Sequence, residues 1–332
     1  MKNSEKKLKV GIVGLGKMGL LHMSLLSSMP SVEIGGVCDK SWLMRRIAKK
    51  ILKKSFITDD LAKMSKLSLD IIYVTTPIPS HYGVIKTIFS ENLADNVFGE
   101  KTLASNYSQS QELCDLVRKK NGATMIGYMK RFSVTFKRAK EILEQKQIGN
   151  LLSFECYAYS SDFAGANLKS TSVIRGGVLE DLGSHVVDLA LWFFGNLRVF
   201  KVHGSSAVSS ISADKIRFQV EGENGLQGIF NISWVEEGYR MPEFGFAIQG
   251  SKGVLKVDDT SLELSLIRSS SKKLYRQDLD DHVRFLLGES EYFREDAFFI
   301  RSILSGTKPE PSFETASNVD KLLEEVRGKQ NE

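Results

Sequence analysis

The stretch LKVGIVGLGKMG, residues 8–19, decides the fold. A short apolar run ends in the pattern Gly14-x-Gly16-x-x-Gly19, and a helical stretch follows directly. In such a pattern the first glycine permits a tight turn, the second lets the backbone approach a pyrophosphate, and the third lets the helix pack on the strand. N–H groups at the helix start can then bind phosphate. The stretch predicts a Rossmann domain whose dinucleotide-binding turn comprises Gly14, Leu15, Gly16, Lys17, Met18 and Gly19.

An acidic residue stands where such a domain needs one for the adenosine ribose. Asp39 ends the second apolar run, twenty residues after Gly19. Its carboxylate can accept hydrogen bonds from both ribose hydroxyls, whereas a 2′-phosphate at about 4 Å would be repelled by about 4 kcal/mol at an effective dielectric of roughly 20. NAD is therefore the predicted cofactor, with NADP less favoured. Lys40, Arg45 and Arg46 keep NADP open, because a basic side chain could accept the phosphate if Asp39 turned away.

Alternation of strands and helices continues outward from this motif to residue 127. Apolar runs such as VEIGGVCD, LDIIYVTTP and NVFGE are separated by helical stretches that end near Met29, Lys54 and Asn92, and by one from Gln109 to Lys120. Near-continuous apolar strands between helices are typical of a parallel sheet covered on both faces. We expect residues 1–127 to form an NAD(P)-binding Rossmann domain with a doubly wound parallel sheet.

The second part of the chain has a different pattern. Strand-like segments such as KIRFQVEG and GVLKVDD follow one another across short turns, and Ile216, Phe218 and Val220 alternate along one face. Helices are predicted at about 135–147 and 179–194. Residues 128–332 are therefore predicted to form a substrate-binding and oligomerisation domain of the α+β class, with a large, mostly antiparallel open sheet.

Composition narrows the class of protein. The chain has 332 residues, 42% of them hydrophobic, and a net charge of +5. Its lysines are spread along helical stretches, which argues against nucleic acid as a partner. The longest later apolar stretch is too short for a membrane span. Three cysteines without metal-ligand spacing predict a cytoplasmic protein with no metal site.

Three polar side chains are suited to acid–base chemistry. Lys101 follows NVFGE and so is expected at the carboxyl end of the parallel sheet, where ligands bind in such folds. Asp181 and His185 are four residues apart, so on a helix they share one face. Imidazole is the side chain that ordinarily titrates near neutrality, which suits it to accept a hydroxyl proton. The alternative readings are a surface charge for Lys101 and a buried structural histidine for His185.

Several motifs together resemble a known family. The glycine-rich fingerprint, TTPIPSHY (75–82), EKTLA (100–104), GYMKRF (127–132) and GGVLEDLGSHVVD (176–188) occur in this order. In order and spacing they are similar to the glucose-fructose oxidoreductase and inositol dehydrogenase (Gfo/Idh/MocA) family over about the first 195 residues. EYFREDAFFIRSILSGTKPEPS, residues 291–312, resembles the C-terminal segment of that family. The resemblance implies that residues of about 293–330 pack back toward the first domain.

The resemblance also implies an activity and a set of site residues. The expected reaction is hydride transfer between nicotinamide and a ring hydroxyl or ketone carbon of a sugar, cyclitol or nucleotide sugar. Lys101, Asp181 and His185 match the catalytic positions of the family. Thr102 departs from the family pattern, which usually has proline there, so we expect a less rigid loop around Lys101. The residues expected to bind the cofactor beyond the glycine-rich turn and Asp39 are Thr75, Thr76, Pro77, His81, Glu100 and Lys101.

Substrate contacts and assembly follow from the same resemblance. The expected substrate-binding residues are Lys101, Tyr128, Arg131, Asp181 and His185, although Arg131 could equally join the two domains. The open sheet resembles the surface through which family members form dimers or tetramers, so a homodimer or homotetramer is expected. A non-catalytic NAD(H)-binding sensor of the same fold is the competing function, which the joint presence of Lys101, Asp181 and His185 disfavours.

Other polar residues have simpler interpretations. His22, His203 and His282 are expected to be structural or solvent-facing. His81, which follows a strand end, could contact the cofactor or be structural. Asp188 is expected to cap or anchor backbone. The segment of about 160–175 has no signature that names a substrate.

Overall fold

The computed structural model describes residues 7–161, 177–206, 214–239, 241–267, 269–279, 281 and 290–330. Two compact units are present, and they divide the chain between Tyr128 and Met129. The described residues 290–320 belong to the first unit, and residues 321–330 to the second. The expectations for His282 and for most of the segment 160–175 lie outside the described residues.

The first unit is built on a six-stranded parallel sheet. Its strand order is β3-β2-β1-β4-β5-β6, as expected for a doubly wound Rossmann fold. Tyr73 and Phe98 stack at the sheet centre with ring centroids 4.6 Å apart. The elements of residues 7–128 are β1 (Leu8–Val13), α1 (Lys17–Ser27), β2 (Val32–Cys38), α2 (Trp42–Ile51), β3 (Phe56–Thr58), β4 (Ile71–Val74), α3 (Ile78–Ser90), β5 (Asn96–Glu100), α4 (Tyr107–Arg118) and β6 (Thr124–Gly127).

Two helices follow later in the chain, α7 (Ser290–Ser305) and α8 (Phe313–Gln330). Helix α7 packs on α1 within the first unit. The carboxylate of Asp320, on α8, accepts hydrogen bonds from Ala104 N at 3.2 Å and from Ser110 Oγ. The C-terminal segment therefore stabilises the loop that follows β5.

The second unit is built on an eight-stranded sheet of order β14-β13-β12-β11-β7-β10-β9-β8. Its described elements are α5 (Val134–Glu144), β7 (Leu151–Tyr159), α6 (Ser184–Phe194), β8 (Leu197–Ser206), β9 (Lys215–Gly222), β10 (Gln227–Ser233), β11 (Glu243–Gly250), β12 (Gly253–Asp258), β13 (Ser261–Leu266) and β14 (Lys272–Tyr275). Neighbouring strands are antiparallel except for β7 and β10, which pair in parallel. The predicted fold class is confirmed in both units.

One face of this second sheet is packed and the other is open. Helices α5 and α6 contact the sheet. The predicted alternation in β9 is confirmed, since Ile216, Phe218 and Val220 are at most 2% exposed. On the opposite face the aromatic rings of Tyr157 and Tyr159 stack with centroids 4.9 Å apart. The sheet therefore has an aromatic patch on a face that no described helix covers.

Some predicted element bounds were wrong. Helix α4 begins two residues before the predicted Gln109, because the Asn106 side chain caps it by accepting from Gln109 N at 3.0 Å. Helix α5 ends at Glu144, three residues before the predicted end, where the chain turns into left-handed backbone at Lys146 with φ 52°. The short strand β3 and the 3-10 turn Leu61–Leu67 had no place in the predicted alternation.

Candidate functional site

The glycine-rich turn has the geometry that its three glycines predict. Gly14 adopts left-handed backbone with φ +95°, which forms the turn after β1. A Cβ on Gly19 would lie 2.0 Å from the carbonyl oxygen of Gly14, so this glycine allows α1 to pack against the turn. A Cβ on Gly16 would meet no atom within 4 Å. The backbone at Gly16 therefore borders open space at the start of α1, where no side chain caps the helix.

Asp39 is fixed at the end of β2. Its carboxylate Oδ2 accepts a hydrogen bond from Leu15 N at 2.5 Å, and Oδ1 accepts one from Ser41 N at 2.7 Å. The first of these bonds ties the acidic residue to the glycine-rich turn. Each carboxylate oxygen keeps further lone pairs for a ligand hydroxyl.

Arg45 does not serve as an unengaged phosphate receptor beside Asp39. Its Nη1 donates to the backbone carbonyl oxygens of Asp39 and Lys40, both at 2.8 Å. Its Nη2 forms an ion pair with Asp59 at 3.2 Å. The remaining basic candidates, Lys40 and Arg46, have exposed side chains. Because Asp39 is held at the turn and Arg45 is engaged, the geometry favours NAD, while Lys40 and Arg46 are the basic side chains that a 2′-phosphate could still meet.

The loop after β4 lies against the same turn. Thr75 Oγ1 donates to the Gly14 carbonyl oxygen at 2.7 Å. Among the described residues the buried Thr76 hydroxyl has no hydrogen-bond partner, and a Cβ on Gly14 would meet the Thr76 methyl at 2.9 Å. Pro77 precedes the first residue of α3 and caps it in extended backbone. The orphaned Thr76 hydroxyl lies beside the glycine-rich turn and fits a polar ligand such as a dinucleotide.

His81 is a structural link between two loops. Its Nδ1 lies 2.7 Å from the carbonyl oxygen of Thr102, and its Nε2 lies 2.7 Å from that of Thr76. Burial lowers the pKa of His81, while the two carbonyl acceptors act in the opposite direction. Because both ring nitrogens are engaged by backbone, the side chain joins the carboxyl ends of β4 and β5.

The loop that carries Lys101 is held by several hydrogen bonds. The Glu100 carboxylate accepts from Lys101 N at 3.3 Å. Thr102 is 1% exposed, and its Oγ1 donates to the Ala104 carbonyl oxygen at 3.0 Å. Thr102 is thus held through its hydroxyl and, by His81, through its carbonyl oxygen, while the expectation of a less rigid loop stays a prediction.

In the second unit the Asp181 and His185 pair lies at the start of α6. The predicted single helix is in fact a π-helical turn, Leu179–Gly183, that continues as α6. Asp181 is half-buried on the π-helical turn, and His185 is 6% exposed with its ring packed edge-on to Phe244 at 5.3 Å. π-Helical turns are rare and occur often at functional sites. Sequence periodicity does not distinguish this turn from ordinary helix.

Asp188 pairs with the side chain of Arg131, a partner that the prediction of a backbone contact did not include. The guanidinium Nε and Nη2 of Arg131 donate to the two carboxylate oxygens of Asp188 at 2.8 and 2.7 Å. Both side chains are buried, which favours a bidentate ion pair over a single contact. Arg131 is thus held beside α6, and Tyr128, at the end of the first unit, is fully buried. The side chains of Arg131 and Tyr128 are therefore both buried.

The sequence analysis missed a second buried cation in the same segment. Lys130 is 4% exposed, and its Nζ forms an ion pair with Asp259 at 2.7 Å. The same ammonium lies 4.9 Å from the ring centroid of Phe244, the ring against which His185 packs. Asp259 also accepts from Phe244 N at 3.0 Å. The signal was present in GYMKRF, whose basic residues stand between apolar ones, but their partners are distant in sequence.

The predicted site residues thus gather in two groups. In the first unit the glycine-rich turn, Asp39, the loop after β4 and Lys101 all lie at the carboxyl ends of parallel strands, where this class of sheet binds ligands. In the second unit Asp181, His185 and the Arg131 partner Asp188 share α6 and its preceding turn.

Over the part of the chain that the structure describes, no metal-binding cluster of His, Cys, Asp or Glu occurs. No helix within those ranges is long and apolar enough to cross a bilayer.

A doubly wound domain with this glycine-rich turn and an acidic residue at the end of β2, joined to an α+β unit that carries Asp181 and His185, is typical of a nucleotide-dependent oxidoreductase. Residues 8–128 match the model of the oxidoreductase family with an NAD-binding Rossmann fold, and residues 136–256 match the GFO/IDH/MocA C-terminal domain. The two matches cover well over half of the chain. The chain therefore belongs to the GFO/IDH/MocA family of NAD-binding oxidoreductases, and the predicted resemblance and cofactor class are confirmed.

Individual relatives are similar over most of their length. The chain is 25% identical to the uncharacterized oxidoreductase YrbE of Bacillus subtilis over 78% of this chain and 77% of the relative. It is 22% identical to the myo-inositol 2-dehydrogenase of Thermotoga maritima over 92% and 91%. A levoglucosan dehydrogenase, solved with NADH and levoglucosan, superposes with a TM-score of 0.88 at 19% identity over 98% of both chains. At 19% identity, the similarity to the levoglucosan dehydrogenase shows only a shared fold.

Proposed function

We propose that the chain is an NAD-dependent dehydrogenase that oxidises a ring carbinol of a sugar, cyclitol or nucleotide sugar, or reduces the matching ketone. One observation carries the proposal. Lys101 directly follows β5 at the carboxyl end of the sheet that also carries the glycine-rich turn and Asp39, and its loop is held by hydrogen bonds at the Lys101 amide and the Thr102 side chain. The names of relatives, among them a myo-inositol 2-dehydrogenase and a D-glucoside 3-dehydrogenase, support a polyhydroxylated substrate.

The cofactor is assigned to residues whose geometry fits it. The open backbone at Gly16 and the uncapped start of α1 suit a pyrophosphate, and Asp39 suits the adenosine ribose. When bound there, the nicotinamide accepts or supplies the hydride. His81 and Glu100 are assigned to the support of the loops around it, because their polar atoms are engaged within the first unit.

The chain itself supplies the proton chemistry. We assign His185 as the base that takes the hydroxyl proton and Asp181 as the group that orients it. Lys101 stabilises the negative charge that develops on the substrate oxygen. Arg131 and Tyr128 are assigned a supporting role beneath these groups, since Arg131 is engaged with Asp188 and Tyr128 is buried.

The test is turnover with a panel of sugars, inositols and nucleotide sugars in the presence of NAD, followed by the absorbance of reduced nicotinamide. His185→Ala should lower turnover by about 10²- to 10⁴-fold, because a positioned base contributes that much. Lys101→Met should lower turnover by about 10²-fold while NAD affinity changes by less than about threefold. Lys119→Met, on the exposed end of α4, is the matched control and should keep parent turnover. Parent turnover in both site variants would contradict the assignment.

We also propose that the chain assembles as a homodimer or homotetramer through the open face of the eight-stranded sheet. The support is an aromatic patch on that face, formed by Tyr157, Tyr159 and Tyr239, together with Phe200, which is 58% exposed on β8. Tyrosine and phenylalanine are enriched in the cores of protein interfaces. Light scattering should give the mass of an oligomer, and the double variant Tyr159→Asp with Phe200→Asp should give a monomer. A monomeric parent would refute this assembly.

A cytoplasmic location completes the proposal. Cys38, Cys114 and Cys156 are all buried and free. Free thiols are typical of a reducing compartment. Cell fractionation with an antibody against the chain tests this directly, and recovery with the membrane or the secreted fraction would count against it.

A further inference from the structure

A buried ionic cluster joins three elements of the first unit. His22, on α1, donates from Nδ1 to Asp296 Oδ1 of α7 at 2.8 Å and from Nε2 to Glu100 Oε1 at the end of β5 at 2.9 Å. His22 and Asp296 are 0% exposed and Glu100 is 8% exposed. Aromatic rings enclose the imidazole, with the Phe98 centroid 5.1 Å away. The imidazole of His22 thereby links Glu100 to Asp296, which lies more than 270 positions from His22 in the sequence.

The contacts of the ring favour a proton on each nitrogen. Burial lowers the pKa of His22, but the charges and hydrogen bonds of Asp296 and Glu100 outweigh burial and raise it well above its ordinary value. Both ring nitrogens face carboxylate oxygens, and an imidazole can donate from both only when it is protonated. Buried ion pairs are often no more stabilising than apolar residues of similar volume. Stability alone therefore gives little reason for a charged cluster at this place.

The position of Glu100 supplies a reason. Its Oε1 accepts from His22, and its Oε2 accepts from the backbone N–H of Lys101 at 3.3 Å. The two oxygens of one carboxylate thus join the buried imidazolium to the residue that we assign to the substrate oxygen. A change in the orientation of this carboxylate would move the backbone from which the Lys101 side chain projects.

We propose that His22 and Asp296 are positioning residues for Lys101, acting through the Glu100 carboxylate. The inference rests on the proposed function, in which Lys101 meets the substrate. Asp296 fixes the imidazolium of His22, His22 fixes Glu100, and Glu100 fixes the Lys101 amide. The other side of the loop is held independently, by His81 at the Thr102 carbonyl oxygen. Helix α7 thus contributes to the site through Asp296.

Kinetics should show the effect on turnover and spare cofactor binding. A shift of about 1 Å in a catalytic group can cost about 10²-fold in rate. His22→Asn should therefore lower turnover by at least about tenfold, with NAD affinity within about threefold of the parent. Asp70→Asn is the matched control, because Asp70 also anchors a backbone N–H of the first unit, at Lys9, but does so before β4 at the opposite end of the sheet. The control should keep parent turnover.

A double-mutant cycle separates positioning from general damage. In a Lys101→Met background the side chain that His22 positions is absent, so adding His22→Asn should lower turnover little further. If His22→Asn lowers turnover by the same factor in both backgrounds, the residue has only a structural role and the proposal is overturned. Asp296→Asn, which keeps the size of the side chain, should give a smaller loss with the same dependence on Lys101, and serves if His22→Asn does not fold.

A readout without turnover keeps the inference separate from the proposed function. Lysines of the folded protein can be labelled by reductive methylation with ¹³C-formaldehyde, and the Lys101 methyl signal is identified by its loss in Lys101→Met. His22→Asn and Asp296→Asn should shift that signal, and Asp70→Asn should leave it in place. If no substrate of the panel is turned over, the proposed function fails while this signal still decides the positioning. An unshifted Lys101 signal in both cluster variants overturns the inference.

Discussion

Replacing each glycine of the turn by alanine should separate packing from ligand binding. A Cβ on Gly19 would lie 2.0 Å from the Gly14 carbonyl oxygen and 2.8 Å from Thr75 Oγ1. The nearest atom is backbone, so it cannot rotate away as a side chain does. Overpacking of this kind costs about 1–3 kcal/mol. Gly19→Ala should therefore lower the melting temperature by roughly 2–12 °C, at about 2–4 °C per kcal/mol for a unit of this size.

Gly16→Ala should behave in the opposite way. Its Cβ meets nothing within 4 Å, and the residue has φ −67°, which alanine adopts freely. The free energy of unfolding of the cofactor-free protein should stay within about 1 kcal/mol of the parent, because the poorer helix cap and the less flexible unfolded chain offset each other. The added methyl occupies the side on which we place the pyrophosphate. NAD affinity should fall by about tenfold or more, which removes about 1.4 kcal/mol of ligand stabilisation at saturating NAD.

The measurements are thermal unfolding with and without NAD and calorimetric titration of NAD. Gly83→Ala is the control, since Gly83 lies in α3 with no atom near its missing Cβ, and alanine there should stabilise by up to about 1 kcal/mol. The reasoning is refuted if Gly19→Ala melts with the parent, or if Gly16→Ala binds NAD with the parent dissociation constant.

Three further changes test other parts of the structure. Asp39→Ala should narrow the ratio of NADP to NAD dissociation constants by about tenfold, and equal constants in the parent would contradict the assignment of Asp39. Arg131→Met should destabilise by about 3–5 kcal/mol in urea unfolding because it leaves Asp188 buried without this cation, and adding Asp188→Leu should recover part of the loss. His22, whose pKa is raised in the folded state, should contribute stability that is full below about pH 6.5 and is lost as the pH rises through the folded pKa. The difference in free energy of unfolding between the parent and His22→Asn, measured in urea, should therefore begin to narrow above about pH 6.5, and a constant difference would argue against a protonated His22.

The sequence was sufficient where local pattern decides structure. The apolar runs and glycine spacing of residues 8–127 predicted the parallel sheet, and the alternation in β9 predicted a sheet with one packed face. Local pattern was insufficient where a single hydrogen bond sets a boundary, as at the Asn106 cap of α4. The parallel pairing of β7 with β10 was likewise hidden, because register between strands 70 residues apart leaves no local trace.

The candidate site divides in the same way. The placement of Lys101 after a strand, and of Asp181 and His185 near a helix start, was predictable because motif order marks strand ends and helix starts. The ion pairs of the buried charged residues were not predictable. His22 was expected only to be structural or exposed, and Asp188 only to bind backbone, because their ion pairs with Asp296 and Arg131 depend on contacts between distant segments. Lys130 was overlooked for the same reason.

The three buried thiols make the molecule its own probe of local opening. Burial raises the pKa of Cys38 to about 11 and raises the pKa of Cys114 and Cys156 as well. At neutral pH only a small fraction of each thiol is therefore in the reactive thiolate form. A thiol reagent reacts with these cysteines only after the surrounding structure opens. Cys38 and Cys114 report on the first unit and Cys156, on β7, reports on the second. The rate at which each cysteine of the native chain reacts thus reports local opening in both units, with no engineered label.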